Sequence, residues 1–147
     1  NSTDTVETVD ANVSNDQPKE VDPIALLNLA AEHLRGDRAK AAEVVLNQFL
    51  KKYPTHPKAI EAKYRLAEAA YNSKQYKSAA NRFQAVIDHT DKGYWAPWAM
   101  LRQGECFEAL NRSQSARFFY EDVIRNYPKS EAAKEASSKL SKPPFVK

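Results

Sequence analysis

Glycine is almost missing from this chain: Gly36, Gly93 and Gly104 are the only three among 147 residues. A glycine-rich loop that cradles phosphate is therefore excluded, because such a loop needs clustered glycines for its amides to approach the ligand. Cysteine is scarcer still. Cys106 stands alone, which excludes an internal disulfide and a zinc site built from several thiolates. No run of about eighteen apolar residues exists to span a bilayer. The histidines, His33, His56 and His89, are widely separated and form no HExxH pattern, so they are read as solvated surface and not as metal ligands. An initiating methionine is also missing; a start at Asn1 is what a processed or excised product shows.

Charge is unevenly placed. Residues 1–23 hold six acids (Asp4, Glu7, Asp10, Asp16, Glu20, Asp22) and one base, Lys19, a net of −5 that leaves +8 for the rest of a chain whose total is +3. A basic body can attract nucleic acid. Here, however, the Lys and Arg residues are interspersed with acids as on solvated helix faces, and no nucleic-acid partner is expected. Residues 1–21 have no helical period and no large apolar group. Such a segment cannot bury enough surface to offset the entropy of ordering it. It is read as a disordered acidic tether, residues 1–22.

What the chain has in abundance is a period. Pro128 lies 74 residues after Pro54, twice 37. Six columns keep that spacing: Ala30, Ala67, Gly104; Ala42, Ala79, Ala116; Leu46, Phe83, Tyr120; Phe49, Val86, Val123; Ala59, Ala96, Ala133; and Ala62, Ala99, Ala136. A repeat of this size signals a solenoid, in which each unit buries its apolar face against the next.

Within the period, apolar residues recur at helical spacing. Asp22-Pro23 offers an N-cap and a proline at the first helical position. A helix carrying Ile24, Leu27, Ala30 and Leu34 follows, ended by Gly36, to which the left-handed turn is assigned. A second helix begins near Asp37, carries Ala42, Val45, Leu46, Phe49 and Tyr53, and stops at Pro54. Further pairs are expected at Lys58–Asn72 with Gln75–His89, and Trp98–Leu110 with Ser113–Tyr127. A capping helix, Ser130–Leu140, closes the array. The expected units are about 23–56, 57–93 and 94–129, with the cap at 130–141 and a tail at 142–147 beyond Lys142-Pro143-Pro144. Short turns make each pair antiparallel.

Small residues on both helices of a pair, an aromatic or large residue four positions after the second, and a closing proline resemble the tetratricopeptide repeat. Each unit here is three residues longer than the usual 34, and the middle unit has Asp91 where the others have proline. That resemblance implies an all-α, right-handed α-solenoid of three hairpins plus a cap, over residues 23–141. The finer pattern, YPxxPxAxxAxYxLxEAxY, then QYxxAxxxFxxVI, GxCxxAL and ARxxxxxVIxxYPxSxAAxxAxxxL, looks like the C-terminal domain of the Tol–Pal-associated periplasmic proteins (YbgF or CpoB type), and less like BamD. It implies a periplasmic or cell-envelope location and a protein partner. The family's trimerising coiled coil has no counterpart in residues 1–21, which contain no heptads.

The resemblance also implies that the first helices line a concave groove holding a partner's peptide or helix. The expected groove residues are Leu27, Ala31 and Leu34, then Glu61, Tyr64, Glu68 and Tyr71, then Trp98, Leu101, Glu105 and Glu108, bordered by Arg65 and Arg102. Tyr64, Tyr71 and Trp98 have a second reading, as side chains sealing the stack between units. In the irregular link Thr90–Pro97, Trp95 is expected to tuck back between the second and third units while Trp98 faces the groove. Catalysis finds no foothold. Cys106 aligns with Ala69 as a small packing residue, and Glu105 with Glu108, though paired on one face, has no surrounding site. No enzyme activity and no cofactor are expected. The alternative function is a structural subunit docking by its convex face or ends.

Overall fold

Seven α-helices make up the computed structural model, which describes residues 21–89 and 93–147. They are α1 Pro23–Arg35, α2 Ala39–Lys52, α3 Ala59–Asn72, α4 Tyr76–Ile87, α5 Trp95–Ala109, α6 Ser113–Asn126 and α7 Glu131–Leu140. The acidic tether falls outside the described residues up to Glu20, as do Thr90, Asp91 and Lys92 of the irregular link. Asp22 caps α1 by accepting from Ile24 N at 3.0 Å, and Ser130 caps α7 by accepting from Ala133 N at 3.0 Å. Each satisfies an amide that the helix itself leaves without a partner.

The turn inside each hairpin is built the same way three times. Asp37, Lys74 and Asn111, each 37 residues apart, adopt left-handed backbones with φ of 57°, 61° and 59°. The amides of Arg38, Gln75 and Arg112 reach back to His33 O, Ala70 O and Phe107 O at 2.8–2.9 Å. This is the Schellman arrangement, which satisfies terminal helix carbonyls. Gly36 does not supply the left-handed residue: its φ is −87°, and Ser73 and Leu110 occupy its place in the other units. The turn runs one residue later than glycine suggested.

Every residue of the six columns is buried. Ala30 with Ala42 and Leu46, and Ala67 with Ala79 and Phe83, share core clusters that run from unit to unit. The third core contains Ala116, Tyr120 and Val123, sealed by Ala132 and Ala136 of α7. Ile24 departs from its expected place: it is 40% exposed, and Leu26 is buried instead. No hairpin precedes α1 among the described residues to cover it. The expected tail also packs. Phe145 is buried, its ring 5.6 Å from that of Tyr120, and Arg117 Nη2 donates to its carbonyl at 2.6 Å.

The helices are not equally close. Residues of α1 touch α3, those of α3 touch α5 and those of α5 touch α7, whereas the backbones of α2 and α4, and of α4 and α6, stand further apart, with the long side chains of Glu43 and Arg82 bridging α2 to α4 at 3.6 Å. The stack therefore bends with α1, α3, α5 and α7 on its inner side. Stacked hairpins of this kind make a helical solenoid.

Candidate partner-binding groove

The inner face carries its charges in register. Arg65, Arg102 and Lys139 follow one another at 37-residue intervals on α3, α5 and α7. Arg65 is held by Glu68 at 3.0 Å and Glu61 at 3.8 Å, and Glu61 also meets Lys58 at 3.5 Å. Arg102 pairs with Glu105, whose other oxygen lies 3.5 Å from Lys139 Nζ. The guanidinium of Arg102 lies 4.5 Å from the Tyr71 ring centroid, and that of Arg65 lies 5.4 Å from Trp95. Planar guanidinium over an aromatic face is attractive and fixes both groups.

Burial shapes the protonation of this face. Burial alone lowers the pKa of Arg102, but Glu105, Tyr64 and Glu68 more than offset it and the net shift is upward. Burial, then Glu105, raises Tyr71. Tyr120 is raised by burial and by donating its hydroxyl to Glu108. Arg102 therefore stays cationic and Tyr71 and Tyr120 stay neutral near neutral pH.

Two cavities open on this face. One of about 350 Å³ is lined by Tyr71, Glu105, Glu108, Ala109 and Lys139. Another of about 250 Å³ is lined by Ala31, Leu34, Arg35, Arg65, Glu68 and Asn72. They are repeat-related: Leu34 and Tyr71, Glu68 and Glu105, and Asn72 and Ala109 are pairs 37 residues apart. Successive crevices between first helices thus form one interrupted channel. Among the described residues no cluster of His, Cys, Asp and Glu is suited to a metal ion, and no helix is long and apolar enough to cross a membrane.

With this geometry in view, comparison with protein families is decisive. The tetratricopeptide repeat profile matches residues 24–56, 61–89 and 98–130, more than half of the chain. The chain belongs to the tetratricopeptide repeat family. Among solved structures it is similar to the N-terminal domain of stress-induced protein-1 (STI-1) from C. elegans. The TM-score is 0.65 at 16% identity, over 82% of this chain and 94% of that one. At that identity the likeness is one of fold. Comparison with curated proteins finds no match.

Not every expected groove residue reaches the tetratricopeptide groove surface. Leu27, Tyr64 and Leu101 form a buried column at 7%, 6% and 1% exposure. Tyr64 packs against Phe83 at 5.4 Å and Trp95 at 4.9 Å, so it seals the stack. The reason is geometric: this column points into the crevice between its own second helix and the next unit. Trp95, at the start of α5, packs against the second core, as expected. Trp98 is half-buried between the second and third cores, so it is largely a packing side chain too. Glu61, Arg65, Glu68, Tyr71, Arg102, Glu105 and Glu108 remain partly open. Lys139 is the residue the sequence reading passed over. Its signal lies in the 37-residue column of Arg65 and Arg102, which continues into the capping helix.

Proposed function

We propose that this tetratricopeptide repeat chain is a non-enzymatic protein-interaction module of the cell envelope, holding a partner's peptide or helix along its inner face. The observation that carries this reading is the channel of Tyr71, Glu105, Glu108 and Lys139, with its repeat-related neighbour at Leu34, Arg65 and Glu68. It combines an aromatic surface with charges immobilised by their neighbours. Such preorganised side chains give contact area and register without much ordering cost on binding. The periplasmic or envelope location, and a role of the Tol–Pal coordination type, rest on the sequence likeness in the YPxxPxAxxAxYxLxEAxY segment and its repeats.

Site-specific photo-cross-linking tests the groove. A benzophenone side chain at Ala109, which lines the larger cavity, should give an adduct with one partner protein in cells producing the chain. The same group at Val44, 60% exposed on α2, should give none. Adducts from Val44 alone would favour docking by the outer face. Fractionation of those cells tests the location, with recovery in the envelope expected.

A further inference from the structure

The outer side of the third unit carries aromatic residues that the repeat does not call for. Phe107, Phe118 and Phe119 stand where the second unit has Ala70, Asn81 and Arg82, and where the first has His33, Val44 and Val45. Two units therefore fold without them. Phe119 stacks on Phe107 with centroids 5.2 Å apart and planes at 4°, and Phe118 meets Phe119 edge-on at 5.4 Å. Phe118 is nonetheless 57% exposed. Large aromatic surface left in water is costly and marks a contact surface when it is contiguous.

Beside these rings lies a cavity of about 270 Å³, lined by Lys77, Ala80, Asn81, Phe107, Leu110 and Arg112. Among the described residues no carboxylate lines it. Lys77 and Arg112 differ in this from the inner-face cations Arg65, Arg102 and Lys139, each of which is paired with a glutamate. Two cations without an acidic partner among the described residues, beside an apolar wall, complement a ligand with the opposite arrangement.

We propose that this surface is a second docking site, separate from the inner groove, for a protein segment bearing a large apolar side chain flanked by carboxylates. The apolar side chain enters the cavity against Phe107, with Phe118 and Phe119 as its outer wall. Lys77 and Arg112 bind the flanking carboxylates, Arg112 by its planar fork.

The test uses the whole chain, isotopically labelled, and the synthetic peptide acetyl-DDLFDD-amide. Amide shifts should centre on Lys77, Phe107 and Arg112 and saturate, with affinity falling as salt rises. Arg112→Glu and Phe118→Ser should each weaken binding by about tenfold or more while leaving the circular dichroism spectrum unchanged. Both side chains are exposed, so neither change threatens folding. The proposal is overturned by absence of saturable binding, by equal binding of acetyl-KKLFKK-amide, or by unchanged affinity in the variants. Shifts confined to Tyr71, Ala109 and Lys139 would assign the peptide to the inner groove instead. Concentration-dependent dimerisation abolished by Phe118→Ser would assign the aromatic surface to a second copy of the chain.

Discussion

The Tyr120 ring occupies the space that a side chain at Gly104 would fill. A Cβ built on Gly104 lies 2.6 Å from Tyr120 Cδ1, closer than real contacts allow. The two positions belong to paired columns. Where the opposing residue is Leu46 or Phe83, the first helix carries Ala30 or Ala67; where it grows to Tyr120, the alanine shrinks to glycine. The Tyr120 hydroxyl then reaches Glu108 on α5.

Gly104→Ala tests this exchange of volume. In an open helix the change should stabilise by about 1 kcal/mol through helix propensity. Here it should instead destabilise by about 1–3 kcal/mol, because the ring has to move. Urea denaturation of the single variant and of Gly104→Ala with Tyr120→Phe measures it. Tyr120→Phe alone removes only the hydroxyl and should not rescue. Tyr120→Leu, which restores the pairing of the first unit, should recover part of the loss. A gain in stability from Gly104→Ala would show that the ring has room to yield.

Lys74 makes a second prediction. It holds the left-handed turn position with φ 61°, where the other units have Asp37 and Asn111. An L-residue with a long side chain pays about 1 kcal/mol there, and asparagine pays less. Lys74 is exposed and makes no ion pair among the described residues. Lys74→Asn should therefore raise the melting temperature by a few degrees. A fall would mean that the lysine stem covers apolar surface worth more than the backbone strain.

Alkaline pH should weaken the fold through Cys106. Burial pushes its thiol up from 9.0 to about 12. The folded state thus holds the proton more tightly than the unfolded one. The associated stability is intact below about pH 9 and is lost as pH climbs towards 12. Tyr64 and Tyr120 are shifted upward by burial as well and act in the same direction. Urea midpoints measured from pH 8 to 11 should decline, and Cys106→Ala, which copies Ala69 of the second unit, should decline less steeply. Identical slopes would show that the thiol does not couple to folding.

The fold was largely legible because a solenoid writes its core into the sequence at a constant interval. Ala42, Ala79 and Ala116 announce a close helix contact by type and by spacing, and all three are fully buried. What escaped the reading was whatever depended on neighbours in space. Tyr64 and Tyr71 both sit on α3 at helical spacing, yet one seals the stack and the other opens on a cavity. Their separation of seven residues, two helical turns, gives no sign of that difference. Gly36 suggested the left-handed residue by composition, whereas the register of Asp37, Lys74 and Asn111 was the better guide. Phe145 lay beyond two prolines that looked like an ending, although it falls 37 residues after Glu108 and so still in phase.

The inner groove itself is tested most directly by the affinity of the protein captured at position 109, measured by calorimetry against groove-blocked and outer-face variants. Ala109 is exposed at the mouth of the cavity it shares with Tyr71 and Lys139, so Ala109→Arg fills the channel without touching the core. A partner lying along the inner face should bind Ala109→Arg at least about tenfold more weakly, a loss of about 1.4 kcal/mol. Its affinity for Val44→Arg, on the outer face of α2, should not change. Unchanged binding to Ala109→Arg together with weakened binding to Val44→Arg would contradict the groove and place the partner on the outside of the solenoid.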